Sequence, residues 1–324
     1  MSEESCFRGS WKDIPDTLFE KTSIAIGNFD GVHLGHQRLI KDALNAAEEK
    51  GLTPVALTFE PHPLKVLKPE AAPLLLSPLS EKVRIIRFLG MKHVVVLNFS
   101  EELFSLSPEE FAEEVLLRKL KAKFVVVGEN FRFGKNREGD RERLVALGKR
   151  LGFEVFIQPP VISDGLPVSS TRIRRILKHG KVEEAWKLLG RPFKITGKVV
   201  KGEGRGRGLG FPTANVDAEN ELIPKTGVYA VFVEAEGRLL KGVANIGYNP
   251  TFGGEKLSIE AHIFDFSEDL YGKKIGIYLI KRLRSESRFA NVSELIKAIE
   301  RDVKCAKRIL EWEVLSFFYS YFYA

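Results

Sequence analysis

The first half of the chain switches repeatedly between two hydrophobic periods, and that switching restricts the folds open to it. Strand-like apolar runs occur at residues 23–27, 54–59, 93–97, 124–128 and 154–158, with helical patterns at 39–50, 81–89, 108–117 and 141–151 between them. Short β-rich runs separated by helical stretches form βαβ units and therefore a parallel sheet. One helix start is explicit: Ser107 as cap, Pro108 in the first turn, then Glu109 and Glu110. In such a sheet ligands gather beyond the carboxyl ends of the strands. His33, His36, Glu60, His62 and Asn130 all follow predicted strand ends, so the sequence expects them to converge on one cleft.

The pattern changes near residues 188–192. A helix over 182–189 stops at Gly190, with Pro192 just beyond, as helix C-termini do. Strands then follow without intervening helices. Runs at 229–234 and 239–244 flank the hairpin signal Ala235-Glu236-Gly237-Arg238, and runs at 258–265 and 274–283 are separated by a turn with Gly272. A last helix spans 292–312, opened by Asn291 or Ser293. A run of strands closed by one helix predicts a small antiparallel barrel. The expected domains are 1–188 and 189–324, and 324 residues with 44% hydrophobic content supply two cores.

Composition excludes more than it selects. Cys6 and Cys305 are far apart and make neither a zinc pattern nor a disulfide framework, which fits a reducing compartment. The acidic start lacks the apolar stretch of a signal peptide, and no apolar run reaches the roughly 18 residues of a membrane span. A cytoplasmic chain without a membrane partner is expected. The aromatic segment 314–324 reads as a packed end or a partner contact. A net charge of +7 and a pI of about 9.2 suit nucleic acid and phosphorylated small molecules equally. The dense basic stretches are 171–178 and 198–207.

Three segments, two of which overlap the basic stretches, carry residue types that can bind phosphate. In Gly27-Asn28-Phe29-Asp30-Gly31-Val32-His33-Leu34-Gly35-His36 two histidines sit three residues apart at a strand-to-helix turn, where backbone N–H groups and the helix dipole favour an anion. A metal site would want further ligands, and helical pairs prefer i, i+4 spacing. Imidazoles placed there stabilise charge building on phosphate oxygens. In Ser169-Ser170-Thr171-Arg172-Ile173-Arg174 hydroxyls precede arginines at a helix start, either as an ordinary cap or as a phosphate cradle. Gly128-Glu129-Asn130-Phe131-Arg132-Phe133-Gly134 follows another strand end.

In the second half, glycine occupies every second position from Gly202 to Gly210, with Arg205 and Arg207 between, and the segment runs into Phe211-Pro212-Thr213-Ala214-Asn215. Read as an extended segment, it leaves one face bare for another backbone or a phosphate chain. Thr213 and Asn215 offer hard oxygens two residues apart, which suits Mg2+ when phosphates supply the remaining ligands. Residues 258–266 alternate: Ile259, Ala261 and Ile263 share one face, Glu260 and His262 the other.

These motifs resemble the prokaryotic bifunctional FAD synthetases over nearly the whole chain. Residues 27–37, 128–134 with Gly139-Asp140, and 169–174 are similar to the FMN adenylyltransferase module, a Rossmann-like nucleotidyltransferase. Residues 208–215, 227–229, 245–252, 260–265, 269–272 and 283–284 are similar to the riboflavin kinase-like barrel. The resemblance implies phosphorylation of riboflavin to FMN and adenylylation of FMN to FAD with release of pyrophosphate, ATP and Mg2+ serving both steps. It implies that Gly27, Asn28, Phe29, His33 and His36 hold the ATP phosphates and that Asn130 lies near the nucleotide. Ser170, Thr171 and Arg174 would grip pyrophosphate. In the kinase it implies Glu260 as base for the ribityl hydroxyl and Gly204, Arg205, Gly208, Gly210 and Pro212 as the ATP loop. Thr213 and Asn215 would be metal and phosphate ligands, and Arg284 a flavin contact. The runner-up enzyme is a nucleotidyltransferase for another phosphorylated cofactor. A class I aminoacyl-tRNA synthetase lacks its lysine-serine signature here. An RNA-binding regulator lacks a stacked-aromatic signature, so no nucleic-acid partner is expected.

Overall fold

The computed structural model describes residues 6–202, 205–251, 254–287 and 289–312. The chain forms two compact units, Met1–Ser170 and Thr171–Ala324. In the first unit the strands are β1 (Cys6–Gly9), β2 (Thr22–Ile26), β3 (Thr53–Glu60), β4 (His93–Asn98), β5 (Ala122–Gly128) and β6 (Glu154–Gln158). They make one parallel sheet in the order β1-β4-β3-β2-β5-β6. The helices are α1 (Leu34–Lys50), α2 (Pro63–Leu67), α3 (Leu79–Phe88), α4 (Glu101–Phe104), α5 (Pro108–Glu110), which widens into a π-helical stretch over Phe111–Lys119, and α6 (Arg141–Leu151). A small hairpin, β7 (Ile162–Ser163) with β8 (Leu166–Pro167), follows.

The parallel sheet has the expected strands, each within a few residues of its predicted limits. Both faces are covered, so its central strands carry continuous apolar runs, Ile24-Ala25-Ile26 on β2 and Val125-Val126-Val127 on β5. On β2 and β5, Ile24, Ile26, Val125 and Val127 enter the cluster that contains Phe111, Leu116 and Leu144. Ala25 and Val126 enter the opposite cluster, with Ile40, Ala43 and Ile86. Strand order reverses between β2 and β5, because β3 lies on one side of β2 and β5 on the other. That crevice is where a sheet of this kind holds a ligand.

Two differences from the sequence reading have physical causes. Helix α1 begins at Leu34, not at residue 39, because His33 caps it: the His36 N–H donates to His33 Nδ1 at 3.4 Å. The first turn carries no apolar periodicity, so the pattern revealed only the later turns. Strand β1, in a segment that carried no motif, adds an edge strand by pairing with β4.

The second unit contains α7 (Ser170–Lys178, from its second residue), α8 (Val182–Leu189), β9 (Phe193–Val200), α9 (Arg205–Gly208), β10 (Ala214–Ala218), β11 (Gly227–Ala235), β12 (Arg238–Thr251), β13 (Gly254–Ile263), β14 (Lys274–Arg284) and α10 (Val292–Trp312). The six strands close into an antiparallel barrel in the order β10-β13-β12-β11-β14-β9. Side chains alternate across it. Tyr229, Val231, Val233, Ala244, Ile246 and Ala261 are fully buried and point inward. Val228, Ala230, Phe232, Val243, Tyr278 and Ile280 point outward and pack with Ala306 and Leu310 of α10. The glycine-rich segment corrects another expectation: it is not extended throughout, since Arg205–Gly208 makes a helical turn.

Ile24 is fully buried in the centre of the parallel sheet. Ile24→Ala is expected to destabilise the first unit by about 2–5 kcal/mol, read as a lowered midpoint in urea unfolding.

Candidate functional site

Each unit carries a cluster of candidate residues. In the first, the turn from β2 to α1 is built on unusual backbone. Phe29, Gly31 and Val32 have φ of 49°, 78° and 39°. A left-handed, β-branched valine costs on the order of 1–3 kcal/mol and persists only when its surroundings impose it. Phe29 and Val32 are fully buried in the cluster around α1. The Val32 N–H donates to Phe29 O at 3.1 Å, and Gln37 Nε2 donates to Val32 O at 2.9 Å. Between them Asp30 is tied twice: its carboxylate accepts the Leu76 N–H at 2.8 Å, and its carbonyl accepts Ser170 Oγ at 2.9 Å.

This turn delivers the histidine pair to the N-terminus of a 17-residue helix. The His33 and His36 rings stack 3.7 Å apart at 15°, and Phe29 meets the His36 ring edge-on at 5.4 Å. Gly35 leaves room for this packing, because a Cβ there would lie 3.1 Å from His33 Cε1 and 3.2 Å from Nδ1, so the ring would have to give way. Two imidazoles at the positive end of a helix favour an anion. On the neighbouring strand, Thr58 Oγ1 donates to Asn28 O at 3.3 Å, and Asn28 Nδ2 lies 3.5 Å from His62 Nε2. His62 itself caps α2, its Nδ1 accepting the Leu64 N–H at 3.2 Å. The turn thus joins the ends of β2 and β3, one part of the convergence that the strand-end argument expected.

Sequence reasoning missed Lys82. It is only 4% exposed on α3, so burial pushes its ammonium below the usual lysine range, while the Glu60 and Asp30 carboxylates oppose that shift. Their electrostatic influence on Lys82 was hidden because the three residues lie on separate segments of the chain. Asn130 lines a polar basin of about 510 Å³ with Glu129, Arg132, Arg137, Arg141 and Glu142, a lining that includes neither histidine. Below it Asp140 caps α6: the Arg143 N–H at 2.9 Å, aided by Arg132, holds its carboxyl below the usual range. Of the predicted phosphate residues, Gly27, Asn28, Phe29, His33, His36 and Ser170 meet around one turn. Thr171 and Arg174 continue along α7 in the second unit.

The second site is a row across the outer face of the barrel. Antiparallel register sets Asn215 opposite Glu260, Glu260 opposite Asn245, Asn245 opposite Val228 and Val228 opposite Arg284. Neighbours in register share a face, so four polar residues from β10, β13, β12 and β14 line up. Thr213 Oγ1 donates to Glu260 Oε2 at 3.4 Å. The glycine segment closes on this row: a Cβ at Gly202 would strike the Asn215 side chain, and one at Gly206 would strike the Phe211 carbonyl with Thr213 Oγ1 3.3 Å away. His262 latches the following segment, its Nδ1–H donating to Pro212 O at 2.9 Å with Phe211 edge-on at 5.5 Å. Gly208 and Gly210 face open space, with Gly210 at φ 85°. Gly204 and the Arg205 side chain lie outside the described residues, as does the aromatic segment 314–324.

Among the described residues no group of three or more His, Cys, Asp or Glu is placed to hold a metal ion. The Thr213 hydroxyl, Asn215 and Glu260 nevertheless present the oxygen donors that a hard cation takes alongside phosphate. Asn245 belongs to this row but was not singled out from the sequence, because register between distant strands cannot be read from spacing. Arg284 is held from α10, Nη2 donating to Asp302 Oδ2 at 2.8 Å.

Comparison with known proteins matches two family models in succession, FAD synthetase over residues 16–172 and riboflavin kinase over residues 189–310. The bifunctional riboflavin kinase/FMN adenylyltransferase of Escherichia coli K12 is 39% identical over 285 residues, covering 88% of this chain and 91% of that protein. The protein of the same description from Bacillus subtilis is 42% identical over 294 residues, covering 89% and 92%. A crystal structure described as a macrolide-efflux protein from Streptococcus pneumoniae superposes with a TM-score of 0.83 at 33% identity, covering 93% of this chain and 98% of that one. Among the described residues here, no helix is long and apolar enough to cross a membrane.

The stacked imidazoles provide a direct test of the first site's geometry. Gly35→Ala is expected to push the His33 ring off His36 while the fold persists, read as loss of the inter-ring NOE between their carbon-bound protons.

Proposed function

Because the chain belongs to the bifunctional riboflavin kinase/FMN adenylyltransferase family, we propose that its two sites divide the two reactions, the barrel row serving the kinase and the histidine turn the adenylyltransferase. The enzyme phosphorylates riboflavin to FMN and adenylylates FMN to FAD, with ATP as co-substrate of both steps. We assign adenylylation to residues 1–188 and phosphorylation to 189–324.

In the kinase, Glu260 takes the proton of the ribityl 5′-hydroxyl as its oxygen attacks the γ-phosphorus, and ADP leaves. The row supports this role, since Glu260 stands between Asn215 and Asn245 with Thr213 donating to it. The glycine segment 202–210 approaches the phosphates through backbone N–H groups, with Pro212 holding its end to His262. Arg284 contacts the flavin. Mg2+, when bound, neutralises charge between the phosphates, and Thr213 and Asn215 would hold it.

In the adenylyltransferase, the nucleophile is a phosphate oxygen of FMN, already anionic at neutral pH, so no base is needed. The work of the protein is to stabilise charge on the α-phosphorus and on departing pyrophosphate. His33 and His36 do this from the start of α1, within a turn that Gly27, Asn28 and Phe29 shape. Ser170 borders the same turn through Asp30, and Thr171 and Arg174 extend the hydroxyl-and-guanidinium set along α7. Asn130 serves the nucleotide from the end of β5.

The basic residues at 171–178 and 198–207 belong to this phosphate handling, and we assign no nucleic-acid partner. Cys6 and Cys305 are unpaired thiols, which supports a cytoplasmic assignment.

The observation that carries the division is that each catalytic group is built within one unit. Glu260→Gln is expected to lower riboflavin phosphorylation by about 10²–10⁴-fold and leave adenylylation of supplied FMN intact. His36→Ala is expected to do the reverse. Chromatographic separation of riboflavin, FMN and FAD after incubation with ATP and Mg2+ reads both. Loss of both activities in either folded variant overturns the division.

A further inference from the structure

One face of α10 is apolar except at a single position. Ala298, Asp302, Ala306 and Leu310 recur every fourth residue and are 5%, 8%, 0% and 0% exposed. A buried carboxylate in such a stripe loses hydration, and an apolar residue of similar volume usually serves stability as well. Asp302 is therefore not explained by packing alone.

Its partner is Arg284, the last residue of β14. Arg284 Nε donates to Asp302 Oδ1 at 3.1 Å and Oδ2 at 3.0 Å, and Nη2 donates to Oδ2 at 2.8 Å. Nη1 donates to the Ser285 carbonyl at 3.0 Å. The Phe289 ring lies 5.6 Å from the guanidinium carbon. A fork held at two edges and one face has a fixed plane. Of its five N–H groups, one on Nη1 and one on Nη2 are left over by these contacts.

We propose that Asp302 is a positioning residue for riboflavin: it fixes the Arg284 guanidinium in the row with Asn245 and Glu260, so that its remaining N–H groups meet hydrogen-bond acceptors of the flavin. The inference rests on the reading of Arg284 as the flavin contact. Asp302 acts only through Arg284 and touches no reacting atom. It makes the placement of α10 part of substrate recognition, since the helix brings the carboxylate that holds the arginine.

The test is steady-state kinetics of riboflavin phosphorylation by the full-length enzyme, with riboflavin and ATP varied separately. The variants are Asp302→Asn, Arg284→Ala, their combination and Arg284→Lys. Losing a hydrogen bond to a charged group makes the expected rise in KM for riboflavin about tenfold for Asp302→Asn, with KM for ATP unchanged. Combined with Arg284→Ala, Asp302→Asn is expected to add nothing. Arg284→Lys keeps the charge but not the fork, and is expected to raise the same KM, which preserves the test if Asp302→Asn does not fold. Arg284→Ala impaired beside an unimpaired Asp302→Asn overturns the inference and leaves the reading of Arg284 standing. An unimpaired Arg284→Ala overturns both. An additive double variant, equal changes in both KM values and kcat, or an unimpaired Arg284→Lys shows a structural role and also overturns the inference.

Discussion

Val32 is a fully buried, β-branched residue held at φ 39°, and the first site depends on the contacts that force it there. Burying such a side chain is worth roughly 1.5–3 kcal/mol, comparable to the strain of its backbone. The Gln37 amide on its carbonyl and the double tie on Asp30 add to the balance. The result is a chain reversal tight enough to make His33 a helix cap and to lay its ring on His36. A relaxed turn would leave the same two imidazoles free to rotate, and the helix start would no longer hold them in one fixed arrangement.

The barrel solves a comparable problem by register. The residues of its polar row come from four strands, and antiparallel pairing alone sets Asn215, Glu260, Asn245 and Arg284 in one register. The inner face of the same strands is closed by Tyr229, Val231 and Ala261, so the polar row lies on a rigid wall. Burial pushes the Tyr229 phenol up to about 12, which keeps its hydroxyl protonated and donating to the Lys225 carbonyl throughout the working pH range. Preorganisation therefore comes from packing in one unit and from strand pairing in the other, and the two chemistries need no shared residue.

The parts of this design legible in the sequence were local ones. Strand and helix periods gave the parallel sheet and the barrel. His33, His36, Thr213 and Asn215 stood out because their motifs are short and continuous, whereas Glu260 was marked as a base only by the family resemblance. Alternation placed Glu260 and His262 on the face opposite Ile259, Ala261 and Ile263, as the barrel has them. What stayed hidden is non-local or exceptional. Histidine is an uncommon helix cap, so α1 was expected to begin late. Glycine alternation suggested an extended segment, where Arg205–Gly208 coils instead. Asn245 and Asp302 gain meaning only when a strand partner or a helix face is known. Lys82 reads as an ordinary basic residue until burial sets it against Asp30 and Glu60.

The central claim is that the two reactions have separate catalytic groups, Glu260 on the barrel for the kinase and His33 with His36 at the start of α1 for the adenylyltransferase. The most direct measurement mixes equal amounts of the Glu260→Gln and His36→Ala proteins with riboflavin, ATP and Mg2+ and follows FAD. Neither protein alone is expected to carry riboflavin to FAD at an appreciable rate. The mixture is expected to do so, with free FMN passing from the intact kinase of one variant to the intact adenylyltransferase of the other. A mixture of folded variants that makes no more FAD than either protein alone would contradict the account.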